Sequence, residues 1–135
     1  MITVIDTNAA VEFALGRTKS EPVALALKSS EWVVAPSLYL YEIANVFWKY
    51  HRTGLMNKEL MSKKTVQCTM LIDEYLPARE LHEEALALSC QNDHPVYDAV
   101  YLVACLKKKA SLLTLDRRLR TAAEKLKIKI LPDGS

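Results

Sequence analysis

The sequence predicts an α/β fold with a mainly parallel sheet, and three observations carry that prediction. Short apolar runs rich in β-branched residues alternate with longer stretches of helical periodicity. The runs are apolar at successive positions, as in strands covered on both faces. Two of them also share one ending. Val4-Ile5-Asp6 and Leu113-Thr114-Leu115-Asp116 each close on an aspartate that a helical pattern follows at once.

Taken in order, residues 2 to 5 form the first expected strand, and a helix runs from about Asn8 to Leu15, with Gly16 ending it. Arg17-Thr18-Lys19 is a polar link. Ser20-Glu21-Pro22 opens the next helix, with Ser20 as its capping hydroxyl, and Lys28 closes it. Trp32-Val33-Val34-Ala35 is a second buried strand. Pro36-Ser37 then opens a long helix to about His51, whose apolar face is Leu40, Ile43, Ala44 and Phe47. Asn57 caps a helix to about Met70, and a short third strand is expected near Tyr75-Leu76. A helix over 80 to 90 places Leu81, Ala85 and Leu88 on one side. Asp93 and His94 are the two candidate caps of the next helix, from about Pro95 to Lys109, which is apolar nearly all round and therefore central. A strand from Ser111 leads to Asp116, a helix follows from Arg117 to Leu126, and residues 127 to 131 form a last strand. No repeat, linker or low-complexity tract interrupts the pattern, so the whole of residues 1–135 reads as one domain.

Composition narrows the class. Half the residues are hydrophobic and a quarter charged, as in a globular protein. No apolar run approaches the roughly 20 residues of a membrane span. Asp6 stands where an export signal needs apolar residues, so a cytoplasmic protein is expected. Cys68, Cys90 and Cys105 make no C-x-x-C pair and are expected to be reduced, buried thiols. Trp32 and Phe47 are expected in the core. Tyr39, Tyr41, Trp48 and Tyr50 share one helix, more aromatic residues than one face can bury. The three histidines show no ligand spacing. Between Lys107 and Lys129 there are nine Lys or Arg residues against two acids, Asp116 and Glu124. A basic stretch beside a cluster of acids suits a polyanion held near a metal.

That cluster is the chemical signal. In an open α/β sheet, ligands bind beyond the carboxyl ends of the strands. Asp6 and Asp116 end strands, Glu42 lies in the helix after the second strand, and Asp98 lies in the first turn of the central helix. Helix capping explains any one such aspartate. Two unit charges about 4 Å apart cost roughly 4 kcal/mol at an effective dielectric near 20, so a cluster needs protons or a cation. Oxygen donors without His or Cys suit Mg²⁺ or Mn²⁺, which can activate water and stabilise charge on a phosphoryl oxygen.

The motifs Val4-Ile5-Asp6-Thr7-Asn8, Glu42 in its helix, Tyr97-Asp98-Ala99-Val100-Tyr101-Leu102-Val103-Ala104 and Leu113-Thr114-Leu115-Asp116, in that order, resemble those of PIN-domain ribonucleases of the VapC toxin type. The resemblance covers essentially the whole chain. It implies a three-layer α/β/α fold around a mainly parallel sheet of four to five strands. It implies Asp6, Glu42, Asp98 and Asp116 as a catalytic metal site for Mg²⁺ or Mn²⁺, with Asn8 and Thr114 in support. It also implies an RNA substrate, a homodimer and a cognate antitoxin protein. Arg117 and Arg118 are candidates for holding the RNA backbone. Asp93 competes with Asp98 for the fourth position, but the Tyr97-Asp98-Ala99 context favours Asp98. Two rival readings are weighed. An aspartyl phosphotransferase would need a second aspartate where Asn8 stands. A non-catalytic PIN-like module binding RNA or protein would be expected to have lost at least one of the four acids.

Overall fold

A computed structural model of the protein describes residues 1–134. Its elements are β1 (Ile2–Ile5), α1 (Thr7–Leu15), α2 (Ser20–Lys28), β2 (Trp32–Pro36), α3 (Leu38–Arg52), α4 (Lys58–Met70), β3 (Glu74–Leu76), α5 (Ala78–Asn92), α6 (Val96–Lys108), β4 (Ser111–Leu113) and α7 (Arg117–Lys125). Among the described residues the four strands form one sheet in the order β3-β2-β1-β4, and every pairing is parallel. Val4 sits between Val34 and Leu112, and Ile5 pairs with Leu113.

The strand side chains alternate between two cores. Val4, Val34 and Leu112 face a cluster built with α5, α6 and α7. Ile5, Val33, Ala35 and Leu113 face one built with α1, α2, α3 and α4. This is the three-layer α/β/α arrangement, and it explains why the strands carry no polar face. The chain winds outward from β1 to β2 to β3 with its helices on one face, then crosses back over the other face through α5 and α6 to place β4 beside β1. Right-handed crossovers require the helices to change face when the strand order reverses. The reversal falls between β1 and β4, where a doubly wound sheet opens a crevice at its carboxyl edge.

Several local expectations are corrected. Ser20 is the first helical residue of α2; Lys19 precedes it, with no side-chain cap. Asp93 is the left-handed residue closing α5, and α6 starts after Pro95 with no side-chain cap, so neither Asp93 nor His94 caps it. The buried stripe of α3 is Tyr39, Ile43 and Phe47, while Leu40 and Ala44 are exposed. Trp32 is 44% exposed, because it starts β2 at the amino edge of the sheet, where its indole N–H donates to Glu74 at 2.9 Å. Cys68 and Cys105 are buried, and burial pushes both thiols up to about 12; Cys90 is exposed. The expected fifth strand is reduced to a single parallel bridge, Leu112 to Ile130. Lys127 turns with φ +60° just before it, and the pairing is confined to Leu112, which donates to the Lys129 carbonyl at 2.8 Å and accepts the Leu131 N–H at 2.9 Å.

Candidate active site

β1 delivers Asp6 to the crevice, and the turn into α1 fixes it. Its Oδ1 accepts the Ala9 N–H at 3.0 Å, making it the N-cap, and its Oδ2 accepts the hydroxyl of Thr114. Thr114 is fully buried between β4 and α7, and its Oγ1 also accepts the Asp116 N–H at 3.0 Å. One hydroxyl therefore ties the two strand-end aspartates together. Asp116 Oδ1 in turn accepts the Arg118 and Leu119 N–H groups at 2.8 and 3.3 Å and caps α7. Capping and placement at the crevice are the same fact for both residues, since a helix must start where a strand ends.

Glu42 reaches the crevice from α3. Its Oε1 accepts the Tyr101 hydroxyl at 2.6 Å and the Thr7 hydroxyl at 3.1 Å, and those two hydroxyls lie 3.2 Å apart. Asp98 arrives from the first turn of α6, half-buried. Asp6, Glu42, Asp98 and Asp116 line one cavity of about 200 Å³, together with Thr7, Asn8, Asn45 and Tyr101. Thr114 lies beneath it. Asp93 is not part of it. With His94, Arg117, Arg118 and Thr121 it lines a neighbouring cavity of about 280 Å³.

Thr7, Asn45 and Tyr101 are the site residues that the sequence reading missed. Spacing could have found two of them. Tyr101 stands three residues after Asp98 on α6, and Asn45 three after Glu42 on α3, so each shares a helix face with its acid.

The electrostatics show the cost of this gathering. Asp6 is 5% exposed, and its carboxyl is pushed from 3.8 up to about 7. Burial is the main cause, opposed by the Thr114 and Ala9 hydrogen bonds and reinforced by the charges of Asp116 and Glu42. Asp98 is also raised, by burial first and then by Asp116, with His94 and Arg118 pulling it back. The N-termini of α1, α6 and α7 open toward the cavity and favour anions there. Among the described residues, no three His, Cys, Asp or Glu side chains are grouped so as to hold a metal ion as they stand. The chemistry of the donor set nevertheless fits a hard divalent cation. It consists of carboxylate oxygens whose mutual repulsion one cation would remove.

The PIN domain family matches residues 3–125 of the chain. Ribonuclease VapC3 of Pyrobaculum aerophilum is 30% identical over 138 aligned positions, covering 98% of this chain and 100% of that protein. In fold, the chain is similar to the crystal structure of PAE2754 from Pyrobaculum aerophilum, with TM-score 0.74 at 22% identity over 96% of this chain and 83% of that one. It is also similar to a toxin–antitoxin complex from Klebsiella pneumoniae, with TM-score 0.65 at 17% identity over 84% of this chain and 86% of that one.

Proposed function

The chain belongs to the PIN-domain family, and on that premise we propose that it is a Mg²⁺- or Mn²⁺-dependent endoribonuclease, the toxin of a toxin–antitoxin pair. One observation carries the proposal. Four acids from four separate parts of the chain line a single cavity at the carboxyl edge of β1 and β4. No structural need gathers four carboxylates there, because capping accounts for only Asp6 and Asp116.

Asp6, Asp98 and Asp116 would hold the cation, with Glu42 as a further ligand or as the group that orients the attacking water. A cation held there would neutralise the cavity and would supply activation of water and stabilisation of charge on the phosphoryl oxygens. The protein supplies position. Tyr101 and Thr7 hold Glu42 by two hydroxyl bonds, so its free oxygen has a fixed direction for a water proton. Asn8 is exposed at the cavity wall, where its amide can donate to a phosphate oxygen. Thr114 is buried beneath the cavity, so its part is to set Asp6 and Asp116. Water adds to the phosphorus and gives one proton to Glu42 or to solvent, the P–O bond to one ribose breaks, and that ribose oxygen leaves with a proton from solvent.

The partner of such a toxin is a cognate antitoxin protein, and a homodimer in the cytoplasm is its working form. The exposed Tyr41 and Trp48 on α3 support a protein-binding role for that helix. No described helix is long and apolar enough to cross a membrane. The non-catalytic alternative draws on one observation, that the carboxylates are not drawn together around a common point.

A single experiment separates the two readings. Purified protein is incubated with total cellular RNA in Mg²⁺ or Mn²⁺, or in EDTA, beside Asp6→Asn and Asp116→Asn. Discrete fragments that need metal and both acids are the expected result. Cleavage that survives either substitution would remove the catalytic assignment, and intact RNA in every lane would favour the binding module.

A further inference from the structure

On the other side of the acid cavity from Arg117 and Arg118 lies another of about 430 Å³, and it shares Asn8 and Val46 with the acid cavity as a wall. Its character differs. Where the first is lined by four carboxylates, this one has a single acid, Glu12 of α1, and presents Arg17 and Lys19 from the link between α1 and α2, and Tyr50 from α3. Arg17 is held in a defined pose. Its guanidinium lies over the Tyr50 ring, 5.3 Å from the centroid, and Nη2 donates to the Tyr50 hydroxyl. The link beneath it is pinned, since the Lys19 N–H donates to Glu12 at 3.0 Å. Glu12 forms a long, 4.0 Å ion pair with Arg17, and the Arg17 side chain stays 45% exposed. A planar cation held against an aromatic ring by its hydroxyl, and still partly exposed, suits a phosphate oxyanion.

The acid cavity creates the need for such a group. Carboxylates that attract a metal also repel the polyanion to be cut, so a cation close by is required to draw the strand in. We propose that Arg17 forms a subsite of the ribonuclease, binding the backbone phosphate next to the one placed at the acids, with Tyr50 as the residue that positions it. This rests on the ribonuclease reading and adds a direction to it. Single-stranded RNA runs from the acids past Asn8 and Val46 to the link after α1. This wall is distinct from the α7 side, where Arg117 and Arg118 lie.

The test uses a fluorescein-labelled single-stranded RNA of mixed sequence and the full-length protein. Binding is measured in EDTA between about 50 and 200 mM salt, where each phosphate contact on a single strand contributes a slope of about 0.7 in log K against log salt. Arg17→Gln should lower the slope by about 0.7, and cleavage of the same RNA in Mn²⁺ should show KM raised about three- to tenfold, with the effect on KM rather than kcat. Tyr50→Leu should give part of that KM effect and Tyr50→Phe, which keeps the ring, less of it. Lys63→Gln, which removes an exposed charge on α4, should change neither measurement. An unchanged slope and KM for Arg17→Gln, in a protein that binds and cleaves the RNA, overturns the subsite alone. A wild-type protein that neither binds nor cleaves the RNA overturns the ribonuclease reading and the subsite with it.

Discussion

At the scale of single residues, the position of the proton on Asp6 has the widest consequences. Folded Asp6 holds its proton up to about pH 7, whereas the unfolded chain loses it near 3.8. Between those values the folded state binds more protons, so metal-free stability falls as pH rises through that window and levels off above it. A shift of this size corresponds to roughly 4 kcal/mol. Thermal melts in EDTA should therefore give a higher midpoint at pH 5 than at pH 7.5, and Mn²⁺ should recover the loss at pH 7.5. Asp6→Asn should flatten the slope while abolishing cleavage. A wild-type profile that is flat from pH 4 to 7 would show that Asp6 is not the group holding the proton. Tyr101 makes a second case. Its hydroxyl donates to Glu42 at 2.6 Å, so Tyr101→Phe leaves Glu42 with the Thr7 bond alone. Single-turnover cleavage should slow by roughly tenfold, the low end of what loss of a supporting hydrogen bond costs a metal site, with little change in melting temperature. The sequence offered only its spacing from Asp98, and nothing in it linked Tyr101 to Glu42. Its partner lies 59 positions away, and only the fold brings them together.

Among the elements, helix starts and stops were legible wherever local chemistry decides them. Asn57 caps α4 by accepting the Leu60 N–H at 2.8 Å, and Gly16 closes α1 with φ +62°, both as read from residue type. They were misread where tertiary packing decides. Ser20, Asp93 and His94 all carry side chains suited to a cap, but the chain enters α2 and α6 without using them. The same distinction predicts a stabilising change. Lys109 closes α6 with φ +51°, a left-handed conformation that costs a side-chain-bearing residue roughly 1 kcal/mol. Lys109→Gly should raise chemical-denaturation stability by about 0.5 to 1 kcal/mol without touching the site. For α7, cap and chemistry can be separated. Asp116→Asn keeps an oxygen for the Arg118 and Leu119 N–H groups and should hold stability while losing activity. Asp116→Ala should lose activity and about 1 kcal/mol as well.

At the scale of the molecule, the sequence showed that strands alternate with helices and that two strands end in aspartate. It did not show the strand order, because each apolar run looks alike and only the handedness of the crossovers ranks them. The order β3-β2-β1-β4 is what sets Asp6 beside Asp116, and Thr114 is the residue that makes that junction rigid. Thr114→Val should disturb both aspartates at once, with a larger loss of cleavage than of stability. The junction also has a consequence in time. Thr114 and Asp6 are separated by 108 positions, and β4 joins the sheet only after α5 and α6 have been made. A chain emerging from the ribosome carries Asp6 and Glu42 long before Asp98 and Asp116 exist to complete the cluster. The four acids therefore cannot line one cavity until synthesis is nearly over, a delay imposed by topology alone.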